Sequence, residues 1–297
     1  MASAQNKTAR GTAYLLVTAL IFGSSFFIVK TSVDLIPPCW LIGIRFSLAA
    51  VLLGAVFCRR LRAMNVRTLG GGVVIGLFLC AAYIAQTVGI MGTTPGRNAF
   101  LTALYVVVVP FLNWIVTRVR PDRFSIAAAV VCTAGIACIS LDGTLSMSTG
   151  DALSVLCGVL FAAQIVTIAY FEHRGLDPIL LTIIQLAVAG IGALAVAAWA
   201  EPVPQLETPS LWMSLLYLSV VVSGVAFLLQ NVGQSLVRPS LASILLSLEA
   251  VFGVLFSVLF YGEQLTVRVT TGFVLVFVAI VISETKLTFL RRKPNDA

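Results

Sequence analysis

The chain has 297 residues, of which 59% are hydrophobic and 10% charged, with a formal net charge of +7 at pH 7. A soluble domain carries roughly 25% charged residues, so this composition excludes a water-coated surface of this size. The apolar residues come in long runs: residues 124–141 hold 18 positions without a charge, enough for a bilayer core about 30 Å thick. The chain reads as an all-α polytopic membrane protein.

Ten apolar runs follow one another. The first, 11–30, comes after a polar stretch with Lys7 and Arg10 and is followed by no small-residue cleavage site, so it reads as a retained helix rather than a signal peptide. The second, 38–58, opens on Pro38 and carries Arg45. The third, 69–91, holds Gly72-x-x-x-Gly76, a pattern that lets helices approach closely. The fourth, 95–117, contains Pro110, which bends it. The fifth, 124–141, the sixth, 151–171, and the seventh, 178–199, follow in turn. A loop with Pro202, Pro204 and Pro209 keeps the chain extended before the eighth, 210–233. The ninth spans 239–261 and the tenth 266–286. Asp122 and Glu263 each precede a run and are placed to cap it. His173 lies in a charged loop, where solvation explains it. The six cysteines, Cys39, Cys58, Cys80, Cys132, Cys138 and Cys157, have no C-x-x-C spacing and read as small hydrophobes. No disulfide framework, metal site or cofactor is expected from them.

Alternate loops differ in basic charge. One side holds Lys7, Arg10, Arg59, Arg60, Arg62, Arg67, Arg118, Arg120, Arg123, Arg174, Arg238, Lys286, Arg291, Arg292 and Lys293; the other holds Lys30, Arg97 and Arg268. The positive-inside rule then puts both termini in the cytoplasm. The net charge is therefore a topology signal, and no nucleic-acid partner is expected.

The second half echoes the first. Tyr83-Ile84-Ala85-Gln86-Thr87-Val88-Gly89 returns as Phe227-Leu228-Leu229-Gln230-Asn231-Val232-Gly233, and Pro95 maps onto Pro239. Gly11 aligns with Gly150, Phe22 with Phe161, Pro38 with Pro178, and Arg45 with Gln185. Arg120-Pro121-Asp122 meets Tyr261-Gly262-Glu263. An echo five spans later lies upside down in the membrane, the pattern of secondary transporters. The expected fold is ten transmembrane helices as two inverted five-helix repeats, residues 1–145 and 146–297.

Several local patterns carry a resemblance to a known family. These are Gly23-Ser24-Ser25-Phe26, Pro38 followed by Arg45-Phe46, Ser247-Leu248-Glu249-Ala250 and Gly262-Glu263-Gln264-Leu265. In these the chain resembles the drug/metabolite transporter superfamily, in particular its ten-helix EamA-type members, and among them the aromatic amino-acid exporters of the YddG type. Ala250 stands where that family's Leu-Glu-Pro pattern has proline. The resemblance implies a bacterial inner-membrane exporter of small metabolites.

Polar residues inside a bilayer need a partner or a water-lined cavity. At 1.5 Å per residue, Glu249 lies about 15 Å along the ninth run, near the midplane where transporter sites form, and its repeat-mate Tyr105 lies equally deep. Glu249 either contacts substrate or locks helices together. Tyr83 and Gln86 share one helical face, as do Phe227 and Gln230, with Asn231 beside them. An aromatic ring beside an amide suits an amphipathic ligand, and equally suits helix packing. Asn98, Thr102 and Tyr105 form one polar stripe, the strongest candidate for a cavity wall. Gln164 and Thr167, continued by Tyr170, form another. Ser24 and Phe26 are candidates to line the outer half of the first run. Arg45 lies about 10 Å along the second run, where a lone guanidinium either snorkels outward or pairs with an acid, and a structural pairing is expected ahead of the alternative, substrate contact.

The single histidine leaves no H-E-x-x-H helix or intramembrane Ser-His pair, and no G-x-x-x-x-G-K-[ST] phosphate loop is present. An enzyme is therefore not expected. A channel, the other alternative, usually needs a symmetric oligomer and a filter, and no filter-like segment is visible. The expected function is export of small amphipathic metabolites, aromatic or hydrophobic amino acids first, by alternating access. Drugs or other small metabolites are the alternative cargo. The expected partners are a small-molecule substrate and the lipid bilayer; a monomer is possible, and the sequence does not set the oligomeric state.

Overall fold

The computed structural model describes residues 2–118, 120–140, 147–172, 174–205, 208–237 and 239–285. His173, Arg238 and the basic residues from Lys286 to Lys293 lie outside them, as do the side chain of Asn231 and the expected boundary near residue 145. Among the described residues the chain is helical, with no β-strand. In order come α1 (Ala2–Ser32), α2 (Pro38–Val56), α3 (Cys58–Leu61), α4 (Val66–Met91), α5 (Pro95–Thr102), α6 (Tyr105–Thr117), α7 (Arg123–Ser140), α8 (Thr149–Glu172), α9 (Pro178–Ala200) and α10 (Pro209–Leu216). A π-helical segment, Tyr217–Ala226, joins α10 to α11 (Phe227–Leu236); α12 (Pro239–Phe256) runs into a second, Ser257–Tyr261, and α13 (Val267–Thr285) closes the order.

The helix starts follow from local chemistry. Pro38, Pro95, Pro178, Pro209 and Pro239 each open a helix, where the fixed φ is pre-set and the missing N–H has no intrahelical partner to lose. Asn65, Thr94, Asp122 and Asp177 accept hydrogen bonds from backbone N–H groups in the first turns of α4, α5, α7 and α9. One expectation fails here. Glu263 does not cap α13; Thr266 does, accepting from the Val269 N–H at 3.3 Å, while the Glu263 side chain turns to another helix.

Among the described residues seven helical runs are long and apolar enough to cross a membrane, and Arg123–Ile139, Leu245–Tyr261 and Val267–Ile282 are shorter apolar helices. Val51, Val130, Ile191 and Phe260 stand 64–69% exposed on the outside of the bundle. So much exposed apolar surface is stable against acyl chains and not against water. The chain is a multi-pass membrane protein.

Helix α1 packs on α11 and α12, α8 on α4, α5 and α6, α2 on α9, α4 on α9, and α7 on α13. The Gly72-x-x-x-Gly76 pattern does what small residues do: a Cβ at Gly72 would lie 2.6 Å from Ile184 and one at Gly76 2.6 Å from Val188, so α4 and α9 meet backbone to side chain. The fourth run is not one helix. It breaks at Ala103–Leu104, where Gly158 of α8 presses so closely that a Cβ there would lie 2.9 Å from the Thr102 carbonyl oxygen. The break makes Tyr105 the first residue of α6.

Candidate functional site

An aromatic and ionic cluster occupies the middle of the bundle. Helix α6 presents Tyr105, whose hydroxyl donates to Glu249 Oε1 of α12 at 3.1 Å across 144 residues of sequence. Helix α4 presents Tyr83, edge-on to Phe161 of α8 at 5.2 Å and to Phe46 of α2 at 4.5 Å. Phe161 also faces the Tyr105 ring at 6.5 Å. Tyr83 lies within electrostatic reach of both Arg45 and Glu249. Rings and ionisable groups therefore alternate through the site.

Arg45 departs from expectation. It neither snorkels nor pairs with an acid. The side chain is 3% exposed, its Nε donates to Ser223 Oγ at 2.7 Å, and its guanidinium carbon lies 5.0 Å from the Phe46 ring and 5.1 Å from the Tyr83 ring. Among the described residues the ion pairs are Arg60–Asp177 and Arg97–Asp151, and no carboxylate pairs with Arg45. Ser223 belongs to the first π-helical segment. Such wide turns gather at functional sites, and no sequence signal announces this one.

The other candidates sort by neighbourhood. Gln86 donates to Thr102 Oγ1 at 3.4 Å, and Thr102 lies against Cys157 Sγ at 3.9 Å. Asn98 is fully buried, donating to Ser154 Oγ at 2.7 Å and to the Gln86 carbonyl at 3.3 Å. Asn98 and Thr102 thus bond α4, α5 and α8 together, and of that stripe Tyr105 reaches the central cluster. Gln164 donates to Gln185 Oε1 at 2.9 Å, while Thr167 bonds back to the Ala163 carbonyl of its own helix at 2.7 Å. Phe227 is buried edge-on to Phe22 at 5.4 Å. Gln230 is half-buried and has no hydrogen bond among the described residues. Ser24 meets the Tyr217 hydroxyl at 2.7 Å, and Phe26 lies in the apolar core with Val29 and Leu218. Two clefts open elsewhere: one of about 470 Å³ lined by apolar residues of α2 and α9, and one of about 1000 Å³ lined by residues such as Arg67, Arg174 and Asp177. Neither includes a candidate residue.

The end of the bundle that carries Lys30 is tied across the two halves. Lys30 Nζ donates to the carbonyls of Ile90, Met91 and Thr93. Thr93 donates to the buried carboxylate of Asp151, whose second oxygen lies 3.9 Å from Arg97. Glu263 accepts from the Gly96 N–H at 3.0 Å and from the hydroxyls of Thr94 and Ser257. Glu201 accepts from the N–H groups of Cys39 and Trp40 at 3.0 and 3.2 Å. The sequence missed this set, because the carboxylates of Glu201 and Glu263 serve the starts of α2 and α5, helices far away along the chain.

A multi-pass helical bundle with a buried aromatic and ionic centre is the architecture of a membrane transporter. The model of the EamA-like transporter family matches the chain twice, over residues 9–141 and 148–285. An uncharacterized transporter of Archaeoglobus fulgidus is 30% identical over 268 residues, covering 90% of this chain and 83% of that protein. A solved crystal structure superposes with a TM-score of 0.67 at 16% identity over 93% of this chain and 97% of that one, a likeness of fold alone. The chain belongs to the EamA-like transporter family, within the drug/metabolite transporter superfamily.

Proposed function

We propose that the protein exports small amphipathic metabolites, aromatic or hydrophobic amino acids first, by alternating access between two inverted five-helix repeats. The observation that carries this reading is the Tyr105–Glu249 hydrogen bond. These two residues are repeat-mates, and mates that touch lie on the pseudo-two-fold axis, where transporters of inverted design place the substrate. Other contacts recur in matched pairs. Tyr83 meets Phe161 as Phe227 meets Phe22, and Gly89 abuts Gly150 as Gly233 abuts Gly11. The double family match supports the same duplication.

The family resemblance favours a bacterial inner membrane, and the charge bias favours both termini in the cytoplasm, so the Lys30 end faces outward. The hydrogen bonds of Lys30, Asp151, Glu201 and Glu263 then hold the outer side shut. Rings at Tyr83, Phe161 and Tyr105 suit an apolar side chain, and the ionic groups suit its polar ends. Purified protein in liposomes is expected to take up labelled phenylalanine or leucine saturably down a gradient. Lack of saturable flux for every amino acid tested sinks this substrate class. Repeating the assay with and without a pH gradient decides whether Glu249 carries a coupled proton; flux indifferent to the gradient removes it from that role.

A further inference from the structure

The central cluster has one buried charge that no carboxylate pairs among the described residues. Burying a guanidinium costs several kcal/mol unless an anion and hydrogen bonds compensate it. Arg45 is 3% exposed, and the Ser223 hydroxyl, the Phe46 and Tyr83 ring faces and a polar contact with the Tyr83 side chain compensate it, with no carboxylate within salt-bridge distance among the described residues. Cation–π contacts with two rings offset part of that cost but supply no counter-charge. The acid of the cluster, Glu249, is engaged by Tyr105 and stands outside salt-bridge distance of Arg45.

The aligned position in the other half sharpens the contrast. There Gln185 is neutral, buried and hydrogen-bonded to Gln164 at 2.9 Å. If a polar group were needed here only to join helices, the glutamine solution would serve both halves. The first half instead keeps a full positive charge, placed on a π-helical segment. That segment also turns in Ser219, whose hydroxyl is fully buried and without a hydrogen-bond partner. The Tyr83 ring lies 5.1 Å from the Arg45 guanidinium carbon and edge-on to Phe161, which also meets the Tyr105 ring.

We infer that Arg45 seats the carboxylate of the transported solute, while Glu249 and Tyr105 receive its ammonium group and Tyr83 and Phe161 flank its side chain. The assignment rests on the transport reading above and narrows it: the solute is a zwitterion, and cationic drugs and neutral metabolites are poor cargo. A guanidinium offers a carboxylate two parallel N–H donors, so the fit is one of shape as well as charge. Bringing the zwitterion's two ends to Arg45 and Glu249 satisfies both buried charges at once, and that pairing selects against ligands with one charge.

The test is competition against labelled phenylalanine in protein-mediated counterflow by four probes: phenylalanine, phenylalaninamide, 3-phenylpropanoate and phenethylamine. Phenylalanine is expected to compete at least tenfold better than phenylalaninamide, which lacks the carboxylate. Arg45→Gln is expected to erase that ratio, and Arg45→Lys to restore part of it, with thermal unfolding reporting that each variant is folded. Where Arg45→Gln does not fold, Ser223→Ala provides the second reading, because it keeps the charge, frees its position and narrows the same ratio. Equal competition by phenylalanine and phenylalaninamide on the wild-type protein overturns the assignment alone. So does an unchanged ratio in folded Arg45→Gln. Absence of flux for every amino acid overturns the transport reading and this assignment with it.

Discussion

The two ends of the bundle are closed by different chemistry. Both share a glycine contact: a Cβ at Gly150 would lie 2.4 Å from the Gly92 carbonyl carbon, and one at Gly11 would lie 2.7 Å from Val237. At the Lys30 end, acids of the second half also reach across to the first. Glu201 caps α2, Glu263 caps α5 and Asp151 holds Thr93. At the opposite end, acids serve their own helices. Asp122 accepts from Ser125 at the start of α7, and Asp177 from Ile179 at the start of α9. The ion pair that does cross halves there, Arg60–Asp177, joins an exposed Arg60 to a half-buried Asp177 at the surface, where such pairs contribute about 0–1 kcal/mol. Close glycine contacts occur at both ends, and at the Lys30 end acids of the second half add hydrogen bonds across to the first.

The largest effect expected is on the glycine contacts. Gly150→Leu and Gly11→Leu each force side-chain atoms into occupied space, costing about 3 kcal/mol or more. Both are expected to lower the unfolding temperature to a similar degree; a large drop for one and none for the other breaks the matching of the two ends.

The acids distinguish the ends. Glu263→Ala strips three donors of their acceptor, Gly96 N–H and the Thr94 and Ser257 hydroxyls, and is expected to cost about 2–3 kcal/mol. It is also expected to raise thiol labelling of a cysteine placed at Ser25, by opening the Lys30 end. Asp122→Ala removes a helix cap, an effect of about 1 kcal/mol, and is expected to leave that labelling unchanged. Arg60→Ala is expected to stay within about 0.5 kcal/mol of the wild type. Equal labelling in Glu263→Ala and Asp122→Ala would mean that the buried acids do not hold the end shut.

Much of the fold was legible in the sequence because its signals are local. Apolar runs bounded by Pro38, Pro95 and Pro178 became helices at those residues, and Gly72 and Gly76 packed closely as small residues do. What escaped the sequence is made by tertiary contact. The break at Ala103–Leu104 answers to Gly158 of another helix, and the π-helical segments carry no composition of their own. Glu263 stands before α13 like a cap, yet its carboxylate finds donors near α5, where buried N–H and hydroxyl groups offer more than an exposed helix start. The site was half legible. Tyr105 and Glu249 were placed at equal depth by repeat arithmetic, and they touch. Arg45 was expected to find an acid, and the acid of the cluster, Glu249, is hydrogen-bonded to Tyr105 instead.

The central claim is that the Tyr105–Glu249 pair is a substrate site and not a helix clamp. A double-mutant cycle on saturable phenylalanine counterflow tests it most directly, using Tyr105→Phe, Glu249→Gln and the pair. Losing a hydrogen bond to a charged group is worth about 1.5–3 kcal/mol, so each single variant is expected to raise the half-saturating concentration about tenfold or more. The double variant is expected to be little worse than either single one. Wild-type affinity in both folded single variants, with the loss appearing in unfolding temperature instead, would contradict the account.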